Sequence, residues 1–260
     1  MANPFPIDAY AYSNRLRWAH PAEKMVFALV TLSLCLYFRS WAVSAAVVAV
    51  MTMLLWRTAG VRPLVFWHFL RLPLGFIVLG VLTIVVILVP PEAAATAWAV
   101  PLGNWHIGIT PASATEGARV LAVSLGSIAS TLFLALTTPL ADITDQLRRW
   151  RVPSLFIELM VIVYRFIFVL LETADSMYTA QQARLGYSTT RRALRSAAVL
   201  ASNLYLRANA RATALFTALT ARGYNGDLRV LMDRPAWSVR RILAFTALDL
   251  LFVCVGLRSA

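Results

Sequence analysis

The sequence predicts an all-α integral membrane protein of about five transmembrane helices, carrying two long cytoplasmic helices. Three observations lead there. Of the 260 residues, 60% are apolar and mean hydropathy is +0.69, where ordinary soluble domains are roughly half apolar. Several uncharged runs reach the length that crosses a bilayer. Finally, the segment 139–241 gathers 15 of the 24 Lys and Arg residues against 7 acidic ones, a net +8 of the chain's +12. A sequence pI near 10.8 raises the question of nucleic acid. The basic residues flank membrane segments, however, so the positive-inside bias accounts for them and no nucleic-acid partner is expected.

The elements follow in order. The N-terminal residues Met1 to Pro6 lack a basic region followed by an apolar core, so a cleaved signal is not expected. Residues Ile7 to Lys24 form a polar, aromatic lead-in with Arg15, Arg17 and Lys24. His20-Pro21-Ala22-Glu23 reads as a helix start, with Pro at N1 and Glu23 near the positive end of the dipole. The first span is Met25 to Phe38; a turn at Arg39-Ser40 leads into the second, Trp41 to Trp56. Arg57, Arg62 and Arg71 follow, with Pro63 and Pro73 as breakers, and the third span covers Leu74 to Val89. Pro90 to Ala118 holds no Lys or Arg but has Glu92 and Glu116, so this loop, with Trp98 and Trp105, is expected outside. Thr110-Pro111 caps a short helix leading to the fourth span, Val120 to Leu136. The N-terminus is then cytoplasmic, and a last span, Ile242 to Leu257, takes the C-terminus outside. This gives a membrane domain of four spans (1–138), a cytoplasmic domain (139–241) and a C-terminal span (242–260).

Two long helical patterns fill the middle domain, Ser154 to Arg184 and Arg191 to Arg222, after a short amphipathic piece, Leu140 to Trp150. At 1.5 Å per residue each long helix extends roughly 45–50 Å. Leu155 to Leu171 is apolar enough to cross, but a crossing would put Arg184, Arg191, Arg192 and Arg195 outside. It also carries Glu158, Arg165 and Glu172 seven apart on one helical face, which suits a helix lying along the cytoplasmic membrane surface. The second long helix is rich in alanine. Small side chains let helices approach, so Ala201 and Ala208 are expected at the crossing with the first.

Catalytic chemistry is sparse. His20, His68 and His106 are far apart, Cys35 and Cys254 lie in apolar runs as packing residues, and no phosphate-binding glycine motif is present. No catalytic residue, metal ligand or cofactor is assigned. The first four spans contain no ionisable residue, while Asp249 lies within the last. Permeases usually place charges at membrane depth, so the substrate is expected to pass through another subunit. What remains is the pair of helix ends, Ala183-Arg184-Leu185-Gly186 and Ala221-Arg222-Gly223. A helix closed by Gly leaves the preceding Arg projecting from its tip.

The lead-in Ile7-Asp8-Ala9-Tyr10-Ala11-Tyr12-Ser13-Asn14-Arg15-Leu16-Arg17 with His20-Pro21-Ala22-Glu23-Lys24 resembles the start of CbiQ-like cobalt transport proteins, the transmembrane T components of energy-coupling factor transporters. The helix ends resemble that family's coupling motifs, with Leu185 where the first motif would have Gly and Gly186 one step later. The resemblance covers nearly the whole chain. It implies a non-enzymatic coupling subunit in the bacterial inner membrane, in contact with lipid. Such a subunit joins two ATP-binding cassette-type ATPases, which hydrolyse ATP, to a membrane subunit that binds the metal ion. Ala183, Arg184 and Gly186 would enter one ATPase and Ala221, Arg222 and Gly223 the other. Nickel uptake, or a membrane enzyme whose basic helices bind lipid, are the alternative readings.

Overall fold

The computed structural model describes residues 6–89, 98–102, 105–224 and 236–259. They form two compact units, one of residues 6–139 with 236–259 and one of residues 140–224. The first unit contains helices α1 (Pro6–Ser13), α2 (Pro21–Phe38), α3 (Trp41–Leu54), α4 (Pro63–Val85), α5 (Pro111–Thr137) and α9 (Val239–Ser259). Strands β1 (Val86–Val89), β2 (Trp98–Leu102) and β3 (Trp105–Ile109) complete it.

Helix α5 is its axis. It packs on α1, α2, α3 and α4, while α9 packs on α2 and α3. The core joins Phe27 and Cys35 of α2, Val43, Val47 and Met51 of α3, Phe66 of α4, Ala129 and Phe133 of α5, and Phe245 and Phe252 of α9. Phe27 meets Phe133 edge-on and stacks on Phe245 at 4.5 Å. At Gly126 a Cβ would stand 3.0 Å from Cys35 Sγ and 3.2 Å from Ser44 Cα, so only hydrogen there lets α2, α3 and α5 meet this closely. Cys35 is buried as expected of a packing residue, whereas Cys254 is exposed.

The turn at Arg39-Ser40 is as expected. Arg39 takes a left-handed conformation (φ 45°) and Ser40 caps α3 by accepting from the Ala42 amide. Arg39 then pairs with Glu116 at 2.7 Å, and Arg119 approaches the same carboxylate at 3.5 Å. The far end of α2 and the start of α5 therefore share one side of the bundle.

The third span and its loop differ from expectation. Pro73 does not end α4 but bends it by 46° between Pro63–Arg71 and Pro73–Val85. The helix stops at Val85, and Val86–Val89 pairs antiparallel with Trp105–Ile109 in a sheet of order β1-β3-β2. The run Val-Ile-Leu-Val is rich in β-branched side chains, which fit a pleated surface once a partner strand is present. Residues 90–97 of the expected outer loop lie outside the described residues, as do 1–5. Thr110 and Ser113 form a reciprocal capping box, and the helix they open runs unbroken to Thr137, not as a separate short helix.

Helices α2, Trp41–Ala59, α5 and α7 are each long and apolar enough to cross a membrane, and the bent α4 is a fifth. The protein is thus a multi-pass membrane protein. The five expected spans included α9 in place of α7. Helix α9 carries Arg240 and Arg241 at its start and Asp249 near its middle, and its membership of the bundle rests on its packing.

The second unit contains α6 (Leu140–Arg149), α7 (Ser154–Ala183) and α8 (Thr190–Ala221). Arg149 pairs with Asp145 one turn away at 3.1 Å. Arg151, at φ 62°, turns the chain into α7. Helices α7 and α8 run antiparallel. Gln181, at the end of α7, donates to the Ser196 carbonyl at 3.1 Å. At the opposite end Tyr224 donates to Glu158 Oε2 at 2.5 Å.

Candidate functional site: two capped helix tips and a clasped lead-in

The two tips are built alike. At the end of α7, the Leu185 amide bonds the Gln182 carbonyl at 3.0 Å and the Gly186 amide reaches back to Gln181 O at 2.9 Å. At the end of α8, the Gly223 amide bonds Thr220 O and the Tyr224 amide bonds Leu219 O, both at 3.0 Å. This is the same Schellman closure at the same offsets. The capping arginines have nearly the same backbone: Arg184 at φ −92°, ψ 16° and Arg222 at φ −93°, ψ 9°. Both are exposed.

The left-handed residue is Leu185 (φ 57°) in the first tip and Gly223 (φ 77°) in the second. Gly186 is therefore the counterpart of Tyr224, not of Gly223. Its glycine has a different reason: a Cβ there would lie 2.7 Å from Ser196 Oγ and 2.9 Å from Gln181 O. Ser196 Oγ donates to Gly186 O at 2.9 Å, and Tyr187 donates to Gln181 Oε1 at 2.8 Å. The first tip is thus stapled to the beginning of α8. Around Gly223 a Cβ would meet nothing within 4 Å. Because α7 and α8 are antiparallel, Arg184 and Arg222 stand at opposite ends of the pair, about 48 Å apart by the length of a 32-residue helix.

The crossing surface needs correction. No residue of α8 is fully buried. A half-buried stripe runs along it through Ala193, Ser196, Leu200, Leu204, Ala208, Leu215 and Leu219. Ala208 belongs to this stripe, but Ala201 is exposed. It sits one residue, about 100° of helical rotation, beyond Leu200. The stripe that meets α7 is mainly leucine.

The lead-in has a structural role that its sequence did not disclose. Asn14 Nδ2 donates to the Leu136 carbonyl at 3.1 Å, and Lys24 Nζ donates to Thr137 O at 2.8 Å and Leu16 O at 3.1 Å. The Leu136 and Thr137 carbonyls end α5 and have no partner within the helix; a cation there also complements the helix dipole. The Lys24 side chain is fully buried. Glu23 accepts from the Ser238 amide and Arg241 Nε, each at 2.9 Å, and so fixes the entry to α9. His20 caps α2 by accepting from the Ala22 amide and stacks on Trp237 at 3.9 Å. Partners over a hundred residues away cannot be read from the motif.

Among the described residues no three His, Cys, Asp or Glu side chains are grouped as a metal site would need.

Comparison with known proteins bears on this arrangement. The family described as CbiQ, cobalt transport protein, matches residues 13–232. The chain is 38% identical over 234 residues to the cobalt transport protein CbiQ of Rhodobacter capsulatus, covering 89% of each chain. It is 28% identical to the cobalt transport protein CbiQ of Salmonella typhimurium, over 86% of this chain and 99% of that one. A third relative is the energy-coupling factor transporter transmembrane protein EcfT of Exiguobacterium sibiricum, 34% identical over about half of each chain (50% and 52%).

Proposed function

The chain belongs to the CbiQ cobalt transport protein family, and from that premise we propose that it is the transmembrane coupling subunit of an ATP-driven cobalt uptake transporter of the energy-coupling factor kind. It transmits motion from two cytoplasmic ATPases, which hydrolyse the ATP, to a separate membrane subunit that binds the metal ion. It lies in the bacterial inner membrane with its N-terminus in the cytoplasm. Residues 139–241 form the coupling domain, with α7 along the cytoplasmic face, so that Arg184, Arg191, Arg192 and Arg195 remain on the positive side.

The observation that carries this reading is the pair of matched caps. Two exposed arginines with one backbone geometry stand at the two ends of a helical pair, about 48 Å apart by helix length. One surface groove cannot take both, whereas two copies of a groove can each take one. A guanidinium at a helix tip suits acidic side chains or backbone carbonyls in such a groove. As the ATPases close and open, the two ends shift and α8 moves as a lever. The similarity to a protein named as an energy-coupling factor transmembrane component supports the assignment.

The test is pull-down of the ATPases with Arg222→Glu, alongside cobalt uptake in cells. Anchoring arginines commonly contribute about 2 kcal/mol or more, so the variant should dock roughly 30-fold more weakly while still inserting in the membrane. Arg184→Glu should act in the same direction, and Arg195→Glu, away from both tips, supplies the control. If Arg222→Glu and Arg195→Glu both dock and transport like wild type, the tips are not the coupling elements.

A further inference from the structure

Between α7 and α8 lies a cavity of about 450 Å³ whose lining includes Val161, Phe166, Val169 and Leu215 together with two arginines, Arg165 of α7 and Arg211 of α8. Both guanidinium-bearing residues are exposed, and among the described residues neither is hydrogen-bonded or ion-paired. Two like charges on the walls of one apolar cleft, neither with an acidic partner among the described residues, attract an anion between them.

The chemistry of the walls narrows what the anion is. The rest of the lining is aliphatic or aromatic, so the occupant carries an apolar body beside its negative group. Helix α7 also bears an outward row at four-residue spacing, Leu155, Leu159, Val163, Ile167 and Leu171, all exposed. An apolar face on either side of α7 suits a helix in contact with lipid. We propose that this cavity is a site for an anionic phospholipid, its phosphate held between Arg165 and Arg211 and the first part of an acyl chain against Val161, Phe166, Val169 and Leu215. Guanidinium forks take phosphate oxygens in pairs, and basic pockets between helices near the cytoplasmic face hold acidic headgroups in the same manner. The site is separate from the two tips and goes beyond the coupling role.

The test is native mass spectrometry of the full chain purified in detergent and exposed to dioleoyl phosphatidylglycerol, dioleoyl phosphatidylcholine or inorganic phosphate. The site predicts retention of phosphatidylglycerol well above phosphatidylcholine, with no retained inorganic phosphate. The double variant Arg165→Gln/Arg211→Gln should lose at least tenfold in bound phosphatidylglycerol, and Leu215→Trp, which fills the cavity but keeps both charges, should also reduce it. Arg195→Gln should leave it unchanged. Equal retention of the two lipids overturns the proposal, as does wild-type retention by the double variant. So does protection of the cleft only when a partner protein is bound.

Discussion

Leu185 is the sharpest test of how the first tip is held. It occupies the left-handed position of the Schellman closure at φ 57°, where the second tip has Gly223 at φ 77°. A Cβ in that region costs about 1–2 kcal/mol. Replacing it with glycine removes this strain but adds backbone freedom to the unfolded segment, worth about 0.5–1 kcal/mol. The net expectation for Leu185→Gly is a first tip more stable by about 0.5–1 kcal/mol, which is roughly two- to fivefold in the local opening equilibrium. The reporters are the amides of Leu185 and Gly186, bonded to Gln182 O and Gln181 O. Their hydrogen exchange, measured by mass spectrometry on the peptide spanning the turn, should slow by roughly that factor. On the proposed coupling role, docking to the ATPases should be retained, because the Arg184 cap geometry is unchanged. Faster exchange at Gly186 would refute the argument, since it would mean that Leu185 stabilises the turn through contacts that outweigh its backbone strain.

Three further outcomes are expected. Ala208→Leu, on the half-buried stripe of α8, should overpack the contact with α7 at a cost of about 1–3 kcal/mol, while Ala201→Leu, on the exposed face, should leave thermal unfolding unchanged. Lys24→Met should strip the donor from Thr137 O and one of two donors from Leu16 O, which keeps the Ala19 amide, and lower stability by about 1–3 kcal/mol, seen as a fall in the unfolding temperature. In a variant with Cys35 and Cys254 replaced by Ser, a cysteine at Ser188 should resist impermeant reagents added outside the cell; labelling there would mean that α7 crosses the membrane.

The long helices were legible because their signals are local. The patterns expected over Ser154 to Arg184 and Arg191 to Arg222 match α7 (Ser154–Ala183) and α8 (Thr190–Ala221) to within a residue at each end. The sheet was not. An apolar run such as Val86–Val89 serves a helix or a strand equally well, and its partner lies about twenty residues on at Trp105–Ile109. The crossing face was misread because alanines occur all round α8, so small side chains alone do not mark a stripe; the leucines at 200, 204, 215 and 219 do. The role of Leu185 was hidden for a different reason. Glycine announces a positive φ in the sequence, whereas leucine there gives no sign. The clasp of Asn14, Glu23 and Lys24 was visible only as a family-like string, because its partners lie 113 to 218 residues away.

The two tips share a cap but not a mounting, and this difference bears on how force would enter the pair. At the first tip, Gln181 is bonded to Ser196 O, Ser196 Oγ to Gly186 O and Tyr187 to Gln181, and the chain itself continues into α8. A displacement of Arg184 therefore acts on both helices together. At the second tip the residue after Gly223, Tyr224, bonds Glu158, a carboxylate only 4% exposed one turn into α7. A displacement of Arg222 acts first on α8 and passes to α7 through that side-chain contact. Between the two ends the half-buried stripe is mostly leucine, whose contacts are non-directional and can slide without breaking a fixed hydrogen bond. On the proposed coupling role, equal displacements of the two tips would then produce unequal responses, a joint tilt from the stapled end and a shear of α8 along α7 from the other.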